Sequence, residues 1–495
     1  MTAELTGMDR RFVVPFCLVL IYVMLTAVAY SFISVETTDD VKVFIGAGKQ
    51  AVLDPSPGPM TKIDNSWELK PIGNKALYFA IATVAPMIYL TEEALLKFFA
   101  LFALCVVAFI FAVEASRRFP ETTAIDIDTT FAFVVVPMLA LSNIFLMQAE
   151  WWAVLLSFGV LWALLTKSHT LIGLAGLLSV WIIFLKMSTL ALIPAIFAAY
   201  FLINGIIYRE VIIAYVIGFI VGLWMAIGWL FYLPHAIPDM LLSVQLAHAS
   251  KGVDIPLADG INYLLFYTID GVPDAPVVGF GIAALLILVI LLLVIWMKQG
   301  KPMSEYSIRT VAILVILWGM PLASILAQKE FFSYHYAILL FPAVITVITT
   351  VGNAMQPVRT LSSVAILGGI VIIWFFIGSM WSPMYAQQDA FWKGTENDSK
   401  IFQEKYDLSG EILYLDIASA TYYLDTKSAC RMVGSLPIDR NLTWTSEYAE
   451  NLACVKNYQG TYAIAKHGSG MPSLLPNYSR IEEGTAWDLY TRKIA

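Results

Sequence analysis

Two adjacent carboxylates, Asp39 and Asp40, stand just beyond the end of the first long apolar segment, in a loop that begins Glu36-Thr-Thr-Asp-Asp40. An ionisable pair at a membrane surface marks a functional site by default, because lipid burial gives it no structural purpose. Asp is a preferred helix N-cap, worth about 0.5–2 kcal/mol. The pair therefore predicts a short helix starting here, with Val41, Phe44 and Ile45 on its membrane face. A cap needs only one carboxylate, which leaves the second for hydration, pairing or chemistry. A carboxylate within ~3 Å of a hydroxyl can act as a general base. If the group displaced is a phosphate, the protonated acid partner that glycosidases need is dispensable. Cations or hydrogen-bond donors for the developing negative charge are still required.

Such donors cluster at the ends of other apolar segments. Lys70, Lys186, Lys329 and His335 supply charge, and Tyr334 and Tyr336 supply hydroxyls. The plain alternative for each lysine is snorkelling, its stem over lipid and its ammonium in water. Glu150 follows Gln148 and precedes Trp151 and Trp152 at a helix start. It fits an interfacial aromatic belt with a carboxylate on the helix dipole. It equally fits a sugar site, with tryptophan stacking on the ring and the carboxylate taking hydroxyl hydrogen bonds. Glu68, in the same loop as Asp40, has a similar claim. No metal site is read: the five histidines are scattered and no H-E-x-x-H occurs. Gly46-Ala47-Gly48 is too short for a phosphate loop, and no cofactor is implied.

These residues hang on a chain that is 59% apolar and 14% charged, with a mean hydropathy of +0.75. A soluble domain carries roughly 25% charged residues, so the composition is that of a polytopic membrane protein. Lys/Arg-rich stripes are absent, which excludes a nucleic-acid partner. About eleven spans are expected, near 12–33, 94–115, 129–147, 151–166, 170–185, 189–207, 211–233, 277–297, 308–326, 336–351 and 361–381. Arg10-Arg11, Arg117-Arg118, Lys167, Arg209, the group Lys298, Lys301 and Arg309, and Arg359 then all fall on one side. The positive-inside rule makes that side cytoplasmic. Residues 76–90 are apolar but short and contain Pro86; a span there would put Arg117-Arg118 outside, so they read as a helix in the outer interface. The N-terminus is thus expected inside the cell membrane and the C-terminus outside.

Hydropathy collapses near residue 382. Glu411–Asp416, Thr461–Lys466 and Trp487–Thr491 read as strands and Ser446–Leu452 as a helix. Residues 382–495 are therefore expected to form an extracytoplasmic α/β domain, following a membrane domain of residues 1–381 whose first outer loop is 34–93. Cys430 and Cys454 then face an oxidising compartment and are expected to form a disulfide. The triplets at Asn397, Asn441 and Asn477 match N-x-[ST], all on this side.

Asp40-Val-Lys-Val-Phe-Ile-Gly-Ala-Gly-Lys49, after a single span, resembles the start of the GT-C superfamily of polyprenyl-phosphate-sugar-dependent glycosyltransferases, nearest its mannosyltransferase-like branch. Trp67–Phe79 is similar to the Pro-containing aromatic segment later in that family's first loop. Gln148–Trp152 and Lys329–Tyr336 resemble its helix-end motifs. In the tail, Ala420-Thr-Tyr-Tyr-Leu424, Ser428–Arg431 and Leu436-Pro437 resemble those of related membrane transferases. The resemblance implies an inverting membrane hexosyltransferase, with a polyprenyl- or dolichyl-phosphate sugar such as mannose as donor. The acceptor would be a lipid-linked glycan, a glycolipid or a protein. The family's carboxylate aligns with Asp40, or else with Asp39. Two rivals share the compartment: an oligosaccharide ligase or polymerase moving a glycan en bloc, and a secondary transporter. Transporters carry buried charge at the bilayer midplane, which these spans nearly lack. The topology itself is testable. Protease added to intact cells is expected to remove residues 382–495 and spare Arg117-Arg118; a protected tail overturns the orientation.

Overall fold

The computed structural model describes residues 39–66, 71–119, 127–140, 147–249, 305–328, 333–353, 382–408, 410–415, 420–433, 438, 443 and 445–493. The expected spans at 12–33, 277–297 and 361–381 lie outside the described residues, as do Arg10, Arg11, Lys298, Lys301, Arg359 and Asn441. In chain order the helices are α1 (Asp39–Leu53), α2 (Pro59–Asp64), α3 (Ile72–Met87), α4 (Glu92–Ser116), α5 (Ile127–Ala140), α6 (Ala149–Leu165) and α7 (His169–Leu185). A 3-10 turn at Met187–Ala191 leads to α8 (Leu192–Asn204), α9 (Arg209–Tyr232), α10 (Ala236–Ala249) and α11 (Glu305–Gln328). A second 3-10 turn at Ser333–Leu339 precedes α12 (Leu340–Asn353).

Among the described residues, Glu92–Ser116, Met187–Asn204 and Arg209–Tyr232 are long and apolar enough to cross a membrane, and five shorter apolar helices accompany them. At 1.5 Å per residue α4 is roughly 37 Å long, more than the ~30 Å of hydrocarbon. Of the eleven expected spans, three thus have the length to cross, five are shorter helices, and three lie outside the described residues. The outward faces are apolar: α9 exposes Ile217, Trp224 and Phe231, and α4 exposes Phe98, Phe102 and Phe109. A continuous apolar surface of this kind belongs in lipid, and the chain is a membrane protein. Thr91 caps α4, its hydroxyl accepting from the Ala94 N–H at 3.2 Å. Inside the bundle, α7 and α9 meet backbone to backbone. A Cβ on Gly176 would stand 2.1 Å from the Tyr215 carbonyl oxygen, and one on Gly218 1.8 Å from that of Gly173. Small residues permit this approach where water supplies no hydrophobic drive.

The helix that starts with the two carboxylates is wedged, not laid on lipid. Val41, Phe44 and Ile45 are buried in the bundle core, so the membrane face expected for them is an inward face. The Phe44 and Tyr78 rings lie 5.3 Å apart, which joins α1 to α3. Gly46-Ala-Gly48 is the seam of this wedge. A Cβ on Gly48 would meet the Tyr78 carbonyl oxygen at 2.4 Å, and one on Gly46 the Thr421 hydroxyl at 2.2 Å. Residues 76–90, expected to lie against the bundle, form most of α3. This helix buries Tyr78, Ile81 and Ala85 and exposes Met87 beyond Pro86.

The C-terminal part begins with α13 (Ser382–Lys405) and carries the short α14 (Ala420–Tyr423) and α15 (Ser446–Asn457). Five strands, β1 (Glu411–Leu415), β2 (Lys427–Ser428), β3 (Tyr462–Lys466), β4 (Tyr478–Glu483) and β5 (Trp487–Arg492), form one sheet in the order β2-β1-β3-β5-β4. The pairs β1–β2 and β1–β3 are parallel, while β3–β5 and β4–β5 are antiparallel. The expected strands are β1, β3 and β5, and the expected helix is α15. The two edge strands escaped the sequence reading. β2 is two residues long, and β4 reads Tyr-Ser-Arg-Ile-Glu-Glu with mostly solvent-facing side chains. Its core of Phe402, Ile412, Tyr414, Ile464, Trp487 and Leu489 also takes in Ala47 of α1. Asp398, buried, accepts the backbone N–H groups of Thr485, Ala486 and Trp487 at 3.1, 2.7 and 3.1 Å and so ties α13 to the β4–β5 turn. Within the Asn397 triplet Asp398 and Ser399 are buried in a helix, whereas Asn477 is exposed just before β4.

Cys430 and Cys454 form a disulfide with Cα atoms 5.9 Å apart, linking the end of β2 to α15. Thiol labelling under denaturing, non-reducing conditions is expected to reach only Cys17 and Cys105; labelling of Cys430 and Cys454 refutes the bond.

Candidate functional site

Three segments far apart in sequence bring charge together at one end of the bundle. Glu150 lies in the first turn of α6, where its charge complements the helix dipole. Lys186 ion-pairs with it, and His335 Nε2 stands 3.7 Å from Glu150 Oε1. Lys186 occupies the break after α7, with extended backbone. The Thr189 hydroxyl holds that break by donating to the carbonyls of Ile182 and Lys186, each at 2.6 Å. The break is also pinned from α11, whose Ser324 hydroxyl donates to the Ser188 carbonyl at 2.7 Å. The Glu150 side chain is 2% exposed and His335 is fully buried, while Lys186 is 15% exposed. Lys186 is thus the most accessible of the three, and Glu150 pairs with it from the buried side.

Just before α6 the backbone is strained. Met147 has φ 56°, a left-handed conformation costing about 1–3 kcal/mol in a non-glycine residue. The Tyr78 hydroxyl steadies it by donating to the Met147 carbonyl at 2.7 Å. Gln148, buried, follows as the N-cap. Trp151 and Trp152 are core residues and not sugar-stacking platforms. Trp151 is fully buried and donates its indole N–H to the Met138 carbonyl at 3.1 Å. Trp152 is buried against Phe99, with ring centroids 5.6 Å apart. The physical reason is that the bundle encloses α6 on nearly all sides, so both indoles are surrounded by protein.

Asp39 and Asp40 are the first two residues of α1, and α1 reaches the Glu150 cluster through Phe44, Tyr78 and Met147. The side chains of Asp39, Asp40, Tyr334 and Tyr336, together with Glu68, Lys70 and Lys329 entire, lie outside the described residues. The structure therefore assembles Gln148, Glu150, Lys186 and His335 of the expected set.

A second charged cluster was missed by the sequence reading. Lys75 of α3 pairs with Asp239 of α10 at 2.7 Å, both side chains nearly shut from water. Arg431, next to the disulfide, forks onto the same carboxylate, with Nη1 and Nη2 each 3.1 Å from Oδ1. Lys75 also donates to the Ser66 carbonyl at 3.1 Å. The available signal was a lone lysine in an apolar run. Above this cluster opens a pocket of about 330 Å³, lined among others by Gln50, Asp54, Asn65, Ser66, Lys427 and Arg431. Burial pushes the Asp54 carboxyl up, but hydrogen bonds from Ser56 and Asn65 outweigh it and hold the group below its usual value. It stays an ionised acceptor at the pocket wall. The sequence reading also passed over Asp126-Ile127-Asp128, which has D-x-D spacing; Asp128 is exposed in the first turn of α5 and Asp126 lies outside the described residues. No group of three or more His, Cys, Asp or Glu side chains placed to hold a metal ion occurs among the described residues.

No protein-family model matches the chain, and no curated protein matches it. Solved structures similar to it include the Archaeoglobus fulgidus oligosaccharyltransferase in the apo form, at 12% identity and TM-score 0.44, covering 92% of this chain and 70% of that one. The same enzyme tethered to an acceptor peptide containing the NVT sequon aligns at 11% identity and TM-score 0.43, over 91% and 69% of the two chains. The archaeal oligosaccharyltransferase AglB from Archaeoglobus fulgidus, in complex with an inhibitory peptide and a dolichol-phosphate, aligns at 12% and TM-score 0.39, over 92% and 70%. A likeness this remote decides nothing about the chemistry, which is read from the chain's own residues.

Glu150→Ala removes a carboxylate partner from the largely buried ammonium of Lys186. Removing one partner of a buried pair costs about 3–5 kcal/mol, and the partial exposure of Lys186 places the expected loss near the lower end. Thermal unfolding in detergent should show Glu150→Ala/Lys186→Met losing less than the sum of the two single variants, by about 1 kcal/mol or more. Strictly additive losses would show that the two charges do not support each other.

Proposed function

We propose that the protein is an integral membrane glycosyltransferase that moves a sugar from a polyprenyl- or dolichyl-phosphate donor to a hydroxyl-bearing or protein acceptor on the outer face. One observation carries the reading: the helix that opens with Asp39-Asp40 is seated, through Phe44, Tyr78 and Met147, on an apolar bundle end that holds Glu150, Lys186 and His335 together. That pairing of a potential base with a buried cationic anchor is what displacement of a lipid phosphate needs.

In the proposed step the acceptor hydroxyl attacks the sugar C1 while Asp40 takes its proton. The bond from C1 to the phosphate oxygen breaks, its electron pair leaves with the polyprenyl phosphate, and the configuration at C1 inverts. Base catalysis by one carboxylate is enough because the leaving anion is stable. Lys186 stabilises that anion electrostatically at a site largely closed to water, aided by Lys70, Lys329 and the hydroxyls of Tyr334 and Tyr336. Asp39 assists or replaces Asp40, and Glu68 and Gln148 bind sugar hydroxyls. The sugar is a hexose, mannose being the first to try. The pocket beside Asp54 and Arg431 suits a polar acceptor. Residues 1–381 make up the catalytic membrane part and residues 382–495 an extracytoplasmic domain, with the N-terminus in the cytoplasm.

The purified protein, incubated with polyprenyl-phosphate hexoses, is expected to release polyprenyl phosphate. Asp40→Asn keeps the size and much of the capping ability while removing basicity, so activity should fall by roughly 10²–10⁴-fold with folding intact. Asp39→Asn should cost less. Normal transfer by both single variants and by the double variant sinks the assignment. Turnover only with a lipid-linked oligosaccharide would replace single-sugar transfer by transfer en bloc.

A further inference from the structure

Lys42 is 2% exposed, one turn into α1. Its Nζ donates to the Tyr423 hydroxyl at 3.1 Å. It also stands 5.7 and 5.6 Å from the ring centroids of Tyr422 and Tyr423. Those rings meet edge to face, 4.8 Å apart at 89°. The ammonium thus sits in a right-angled aromatic corner, where the ring quadrupoles replace part of its lost hydration.

The corner is held from several sides. The Tyr422 hydroxyl donates to Glu93 Oε2 at 2.7 Å, and Glu93 Oε1 pairs with Lys97 at 2.8 Å, which ties the corner to the start of α4. Burial, and then the Glu93 charge, push the Tyr422 hydroxyl far up, so it remains a donor. Lys49 grips the other edge, donating to the Tyr422 carbonyl at 2.8 Å and pairing with Asp425 at 2.5 Å. Gly46 leaves no gap beneath Thr421.

Anchorage alone does not call for a lysine here. Lys49 and the glycine seam already join α1 to the tail. What a lysine adds is direction: a hydrogen bond and a cation on two rings hold it in one geometry. We propose that Lys42 is a positioning residue, through which the Tyr422–Tyr423 corner of the tail sets the first turn of α1 and with it the Asp39–Asp40 pair. This rests on those carboxylates carrying the chemistry proposed above. It makes the tail part of the catalytic geometry, because the corner itself is built from residues after 420.

The test compares Lys42→Met, Lys42→Arg and Tyr423→Phe in the full-length protein, with two readouts. Amide hydrogen exchange across residues 39–45 reports the first turn directly and needs no substrate. Steady-state transfer from a polyprenyl-phosphate hexose reports kcat and donor KM. Lys42→Met is expected to speed exchange at 39–45 and lower kcat by about 10–100-fold, with donor KM unchanged. Lys42→Arg, which keeps the cation, should restore most of the lost rate, and Tyr423→Phe should fall between. Lys405→Met, which breaks the exposed pair with Glu482 at 2.7 Å elsewhere in the tail, should change neither readout. Unchanged exchange in Lys42→Met overturns the proposal, as does unchanged kcat despite faster exchange. If the wild-type protein turns over no polyprenyl-phosphate sugar, the functional reading falls on its own; faster exchange in Lys42→Met then still supports the coupling of corner to helix, and unchanged exchange still overturns it.

Discussion

The bridge between Lys75 and Asp239 holds the part of the structure on which the rest leans. Both groups are nearly closed to water, so separating them would leave an uncompensated charge at a cost of about 3–5 kcal/mol. That bridge fixes α3 against α10, and Arg431 extends it to the tail. From α3 the constraints fan out. Its Gly73 approaches the Phe184 carbonyl so closely that a Cβ would stand 2.7 Å away, which sets the end of α7 just before Lys186. Three residues after Lys75, the Tyr78 hydroxyl holds the strained Met147 just before Gln148 and Glu150. The Tyr78 carbonyl meanwhile defines the floor under Gly48 of α1. One helix therefore bears on α1, on the end of α7 at Lys186 and on the tail.

The two halves of the molecule are held by different physics, and α1 belongs to both. Within lipid, apolar side chains gain little by leaving their solvent, so close backbone contact and paired charge do the holding. The Gly173–Gly218 contact and the Glu150–Lys186 pair are of this kind. In the tail, burial of Trp487, Leu489 and Ile464 is driven by water. Val41, Phe44 and Ile45 face the first core, while Ala47 joins the second. A helix shared in this way cannot shift against one half without disturbing the other.

Much of this was legible in the residues. Apolar runs mark the helices, because length and composition alone decide what can sit in hydrocarbon. Three of the five strands show as runs of apolar residues, and Glu150, Lys186 and His335 show as charge at the ends of apolar runs. What stayed hidden depends on pairing across long separations. Lys75 and Asp239 are 164 residues apart, and Asp239 and Arg431 are 192 apart; no local pattern ties them. β4 is hidden because an edge strand needs little burial and so carries no alternation. Gly46 and Gly48 were weighed against a phosphate loop, whereas their use is to let a helix be approached from two sides. Val41, Phe44 and Ile45 read as lipid-facing because apolarity does not distinguish lipid from protein interior.

That ambiguity also explains why a polar tail is integrated into such a bundle. An apolar helix end resting on lipid can slide and rotate with little penalty, since one apolar surroundings replaces another. Reaction geometry tolerates no such freedom, because a misplacement of about 1 Å can cost 10²-fold in rate. Directional contacts remove it, and this end of the bundle draws them from the C-terminal part: the Lys42 hydrogen bond to Tyr423, the Tyr422 bond to Glu93 and the Arg431 fork on Asp239 all originate in, or end on, residues after 420. The C-terminal part thus supplies what hydrocarbon cannot, a fixed orientation for the helix that begins with Asp39 and Asp40.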